Sequence, residues 1–100
     1  MISQRLQDTL TDKLVQVYGY GSRWIYRGEL DPIIEVIHGH TGEKVCIEVS
    51  CTSDDLFELI VYAGTYDAMC SSMNPTHIRT VSDVHMEDLA RRILELTGRA

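Results

Sequence analysis

Residues 33–51 read IIEVIHGHTGEKVCIEVSC, and this stretch decides the fold. Ile34, Val36 and His38 alternate with Ile33, Glu35 and Ile37. Beyond a His40-Thr41-Gly42-Glu43 turn, Val45, Ile47, Val49 and Cys51 alternate with Cys46, Glu48 and Ser50. Two runs of period two joined by a short glycine-bearing turn predict an antiparallel hairpin with one apolar face. A turn at Thr41-Gly42 sets Val36 opposite Ile47 on the inner face and Glu35 opposite Glu48 on the outer one.

The same period continues in both directions. Upstream, Trp24 and Tyr26 alternate with Arg23, Ile25 and Arg27, and Gly28-Glu29-Leu30-Asp31-Pro32 forms the connection. Downstream, after Thr52-Ser53-Asp54-Asp55, Phe57, Leu59, Val61 and Ala63 alternate with Glu58, Ile60 and Tyr62. Cys51 then falls across from Phe57, with Glu58 beside Ser50. Short, turn-rich connections make this a four-strand antiparallel meander. Residues 64–75 have no strand pattern, although Tyr66, Met69, Cys70 and Met73 line one face of a short helix. Residues 78–81 read either as a brief fifth strand or as an extended lead-in.

Helical periodicity brackets the meander. Ile2, Leu6, Leu10, Leu14 and Val17 form a stripe over residues 3–18 that stops at Gly19. At the other end Ser82 is the expected N-cap, with Val81 and Met86 as its staple and Asp83, Glu87 and Asp88 near the positive end. Met86, Leu89, Ile93 and Leu96 form the stripe, and Gly98 fits the position after the last turn. The expected fold is therefore α+β: a two-layer sandwich, an antiparallel four-stranded meander flanked by N- and C-terminal helices, one domain over residues 1–100. Trp24, Val36, Ile47, Val49, Leu59 and Val61 should lie beneath Leu10, Leu14, Leu89 and Ile93.

Composition narrows the function classes. One hundred residues, 44% hydrophobic and 24% charged, suit a single globular domain. A formal charge of −6 argues against direct nucleic-acid binding, which needs a surplus of lysine and arginine. Three cysteines, Cys46, Cys51 and Cys70, cannot all pair within one chain, which favours a cytoplasmic setting. The N-terminus has no apolar leader and no stretch is long enough for a membrane span, so the chain reads as an intracellular protein with nothing to cleave.

Motifs with chemical meaning are weak. His38-Gly39-His40 puts two imidazoles on one face, with Glu43 opposite His40, but the spacing matches no zinc signature, and a polar hairpin end explains it better. Cys70 with His77 lacks the local signature of a nucleophile and its base. Gly19-Tyr20-Gly21-Ser22 follows a helix and precedes a strand, the reverse of a phosphate loop. Met69, Met73 and Met86 read as core fillers. No cofactor and no metal are expected.

Charge is distributed unevenly. Between Gly28 and Ile78 stand nine acids, Glu29, Asp31, Glu35, Glu43, Glu48, Asp54, Asp55, Glu58 and Asp67, against Lys44 alone, nine minus one or a local −8. Glu35, Glu48 and Glu58 share the outer face with Ile25, Ile37, Cys46, Ile60 and Tyr62. Arg23 and Arg27 lie on the same face and could neutralise Glu35. Carboxylates mixed with aliphatic and aromatic side chains suggest a recognition surface.

The leading expectation is a small acidic non-enzymatic module. Its partner-binding residues are Glu29, Asp31, Glu35, Glu48, Asp54, Asp55, Glu58 and Tyr62. The expected partner is a basic protein surface such as that of a nucleic-acid-binding complex, with no direct nucleic acid and no membrane. Phage anti-defence proteins that block CRISPR effectors work in this way; the likeness is one of size and charge. The rivals are an acidic dimeric chaperone or adaptor, and a small metal- or thiol-dependent enzyme centred on His38, His40 and Cys70.

Overall fold

The computed structural model describes residues 22–27, 30–53, 55–71 and 76–99. The alternating runs form strands β1 (Arg23–Arg27), β2 (Leu30–Ile37), β3 (Lys44–Ser53) and β4 (Leu56–Ala63). After helix α1 (Tyr66–Ser71) the chain adds a fifth strand, β5 (His77–His85), and ends in helix α2 (Met86–Leu96). All neighbours pair antiparallel in the order β1-β2-β3-β4-β5. The expected four-stranded meander between terminal helices is thus corrected: among the described residues there is a five-stranded sheet with two helices, and these residues are mostly strand. The helix expected over residues 3–18, with Leu10 and Leu14, lies outside the described residues.

The fifth strand escapes the alternation rule because it is irregular in two places. Val61 pairs with Arg79 and Tyr62 with His77, leaving Ile78 as an extra residue; Leu59 pairs with Val81 and Phe57 with Val84, leaving Ser82 and Asp83 facing Glu58. Asp83 takes φ 55, a left-handed conformation tolerated by short polar side chains. Such bulges twist a sheet edge out of the flat geometry that invites another strand. Another irregularity falls between Ile25 and Arg27, where Asp31 and Pro32 lie between the paired residues Leu30 and Ile33. Proline, which cannot donate to the ladder, is tolerated at such a position.

Helix α2 starts at Met86, so Ser82 is not its N-cap. His85 holds that position with φ −72 and ψ 148 and no side-chain cap bond. The Met86 N–H is instead satisfied by Asp55 O at 3.2 Å, which ties the helix to the β3–β4 turn. At the other end Gly98 takes φ 69, its N–H donating to Glu95 O and that of Arg99 to Leu94 O, the paired pattern of a Schellman stop.

The core lies between the inner sheet face and α2. Ile34, Val36, Val45, Ile47, Val49, Phe57, Leu59, Val61 and Val84 pack with Leu89 and Ile93, and Trp24 joins them partly buried. The expected inward phase of every one of the first four strands holds. The β2–β3 register, however, differs by two residues: Val36 faces Val45, Ile34 faces Ile47, Glu35 faces Cys46 and Ile33 faces Glu48. A shift of two preserves the faces but separates Glu35 from Glu48. The cause is the turn, which is longer than two residues: His38 N donates to Glu43 O, and Gly42, at φ 72, donates to His38 O.

This turn meets the end of α2 at a close glycine contact. Gly39 N donates to Thr97 O at 2.7 Å. A methyl group at Gly39 would strike the backbone of Gly98, touching its carbonyl oxygen and lying 3.0 Å from its carbon, whereas a methyl at Gly42 would meet open space. Gly39→Ala should therefore cost about 2 kcal/mol by overpacking and lower Tm by roughly 10 °C. Gly42→Ala carries only left-handed strain, about 1 kcal/mol. Thermal unfolding of the two variants checks this; equal losses would mean that turn and helix do not interlock.

Candidate functional surface

The outer face of the sheet divides into a buried part and a half-exposed part. In the buried part Ile33, Glu35 and Cys46 are essentially inaccessible. Here the chain entering α1 crosses the sheet: Tyr66 N donates to Glu35 Oε2 at 2.8 Å, and Cys46 Sγ donates to Gly64 O at 3.4 Å. Arg23, directly opposite Glu35 on β1, reaches Oε1 at 3.3 Å, and Lys44 at the start of β3 reaches the same oxygen at 3.2 Å.

Glu35 is thus not available to a partner. Burial alone would push its carboxyl up, but the Tyr66 N–H and the Arg23 and Lys44 cations outweigh burial and hold it below the usual 4.5. Burial, reinforced by the Glu35 charge, pushes the neighbouring Cys46 thiol up to about 11, so it stays protonated at neutral pH and packs as a small hydrophobe.

The half-exposed part lies farther along β3 and β4. Ser50 faces Glu58 and Glu48 faces Ile60, so the two carboxylates sit diagonally on adjacent strands. Tyr62 extends this row, its ring 5.9 Å from that of His77 on β5. All five side chains are half-buried. Glu58 accepts Ser82 Oγ at 3.3 Å, and neither it nor Asp55 forms an ion pair among the described residues.

The remaining expected partner-binding residues are more scattered. Asp31 is half-buried on β2; Asp55 is exposed at the β3–β4 turn, beside an open cleft of about 380 Å³ shared with His85, Met86 and Glu87. Glu29 and Asp54 lie outside the described residues. The structure therefore gathers Glu48, Glu58 and Tyr62 on one surface, places Asp55 at its end and withdraws Glu35 inside. Arg23, Lys44 and the Tyr66 N–H as partners of Glu35 were foreshadowed only by Arg23 sharing the outer phase.

The helical layer differs electrostatically. On α2, Arg91 bridges Asp88 at 3.3 Å and Glu95 at 2.7 Å, while Arg92 meets Glu95 at 2.6 Å. These one-turn pairs neutralise one another locally.

No group of three or more His, Cys, Asp or Glu among the described residues could hold a metal ion. His38 Nδ1 accepts backbone N–H groups of its own turn, and His77 Nε2 lies 2.7 Å from Thr80 Oγ1. Cys70 is exposed on α1. Among the described residues no helix is long and apolar enough to cross a membrane. No protein-family model, curated protein or solved structure matches the chain.

Proposed function

We propose that this protein is a non-enzymatic binding module that docks the half-exposed outer face of its sheet onto a basic protein surface, as an inhibitor of nucleic-acid-handling machinery would. The observation that carries this reading is the diagonal of Glu48 and Glu58 among Ser50, Ile60 and Tyr62. It mixes directional charge with apolar area. A basic partner would be steered towards such a face and would relieve repulsion between its carboxylates.

Salt dependence tests the reading, because the Debye length falls from about 10 Å at 0.1 M to about 3 Å at 1 M. The immobilised protein should retain basic proteins from its native host at low salt and release them along a salt gradient. Retention that persists at about 1 M salt would point to apolar association, as in a dimeric chaperone or adaptor, and would contradict docking by charge.

A further inference from the structure

We propose that the β2–β3 turn is a proton-sensitive latch for the C-terminal end of α2, with His38 as its titrating group. His38 Nδ1 accepts the N–H of His40 at 3.1 Å and that of Thr41 at 3.3 Å. A ring nitrogen that accepts carries no hydrogen, so these two bonds require the tautomer with its proton on Nε2. A proton taken from solvent at Nδ1 confronts two N–H donors, and both bonds are lost.

The turn cannot rearrange alone, because it is clamped to the helix end from several sides. Gly39 N donates to Thr97 O, and Arg99 Nη2 donates to Ile37 O at 2.9 Å. Gly98 lies so close to the ring that a methyl there would come within 2.7 Å of His38 Cε1 and 2.9 Å of His40 Cδ2. The position of the imidazole and that of the helix stop are therefore set together.

Charged and titratable groups face the ring. The His40 ring centroid is 5.8 Å away, Glu43 and Lys44 share a cleft with His38, and Arg99 approaches from the helix end. Release of the latch loosens the wall of that cleft, about 240 Å³, whose floor is Val45, Val61, Ala63 and Leu96 beside the exposed Ile78.

Amide resonances followed from about pH 7.5 to about pH 5 test the latch. In the wild type the signals of His40, Thr41, Gly98 and Arg99 should move in step with protonation of the His38 ring. Protection of the Gly39 amide, corrected for the intrinsic exchange rate, should fall about tenfold. In His38→Asn the side-chain carbonyl accepts the same N–H groups and does not titrate, so the latch stays closed throughout. Gly98 and Arg99 signals that stay still while His38 titrates would overturn the proposal. So would a His38→Asn variant that responds to acid as the wild type does, since His40 would then be the responding group.

Discussion

Glu35→Lys should abolish or nearly abolish folding, and Glu35→Gln should weaken it by about 2 kcal/mol, the scale of lost charge-assisted hydrogen bonds. The Glu35 side chain is only 2% exposed and faces Arg23, Lys44 and the Tyr66 N–H. A lysine there buries a cation against two others, a loss of roughly 3–5 kcal/mol or more and a large share of the stability of a domain this size. Glutamine keeps one acceptor but loses the charge. Because Arg23 and Lys44 are about half exposed, 55% and 43%, water recovers part of their solvation, and the smaller figure applies to that variant. The folded-state carboxyl is held below its usual 4.5, so its contribution is present above that pH and fades as pH falls through the lower folded-state value. Urea midpoints for wild type and Glu35→Gln should therefore differ at neutral pH and converge in acid. Equal midpoints at pH 7 would remove Glu35 from the account of stability.

Truncations in the core should cost as much. Ile47→Ala and Leu89→Ala each should lose about 2–5 kcal/mol, because both side chains are fully buried, one at the centre of the sheet and one on the helix that covers it. They belong to one cluster, so the double variant should depart from additivity. Denaturant unfolding of the single and double variants measures both effects. Losses below about 1 kcal/mol would mean that helix and sheet do not share this core.

Sequence periodicity made the faces of the first four strands legible, since alternation over Val, Ile and Phe leaves one choice of inward phase. The β2–β3 register was less legible, because parity fixes the face while the turn fixes the pairing, and the His38–Glu43 turn is longer than Thr41-Gly42 alone suggests. The end of β5 differs from its sequence pattern for a physical reason. Ser82-Asp83 resembles a helix cap, yet it forms a bulge, and only Val81 and Val84 turn towards the core. On the candidate surface, the Glu48, Glu58 and Tyr62 face followed from alternation. Burial of Glu35 did not, because it depends on α1 crossing the sheet from residues about thirty positions away, a non-local event that propensity cannot encode.

On the proposed reading the acidic sheet face, not the helical layer, meets the partner. Its most direct test compares Glu48→Lys/Glu58→Lys with Glu87→Lys/Glu95→Lys on α2, two variants with the same change in net charge. Affinity for the basic proteins retained by the wild type should fall at least tenfold in the sheet variant, about 1.4 kcal/mol, and flatten in its salt dependence, while the helix variant binds as before. The sheet variant should melt near the wild type, as neither of its positions is in the core, and the helix variant somewhat lower, because Glu95→Lys removes the bridges to Arg91 and Arg92, so affinities are compared well below both melting points. Loss of binding in the helix variant with binding kept in the sheet variant would place the interface on α2 and contradict the account.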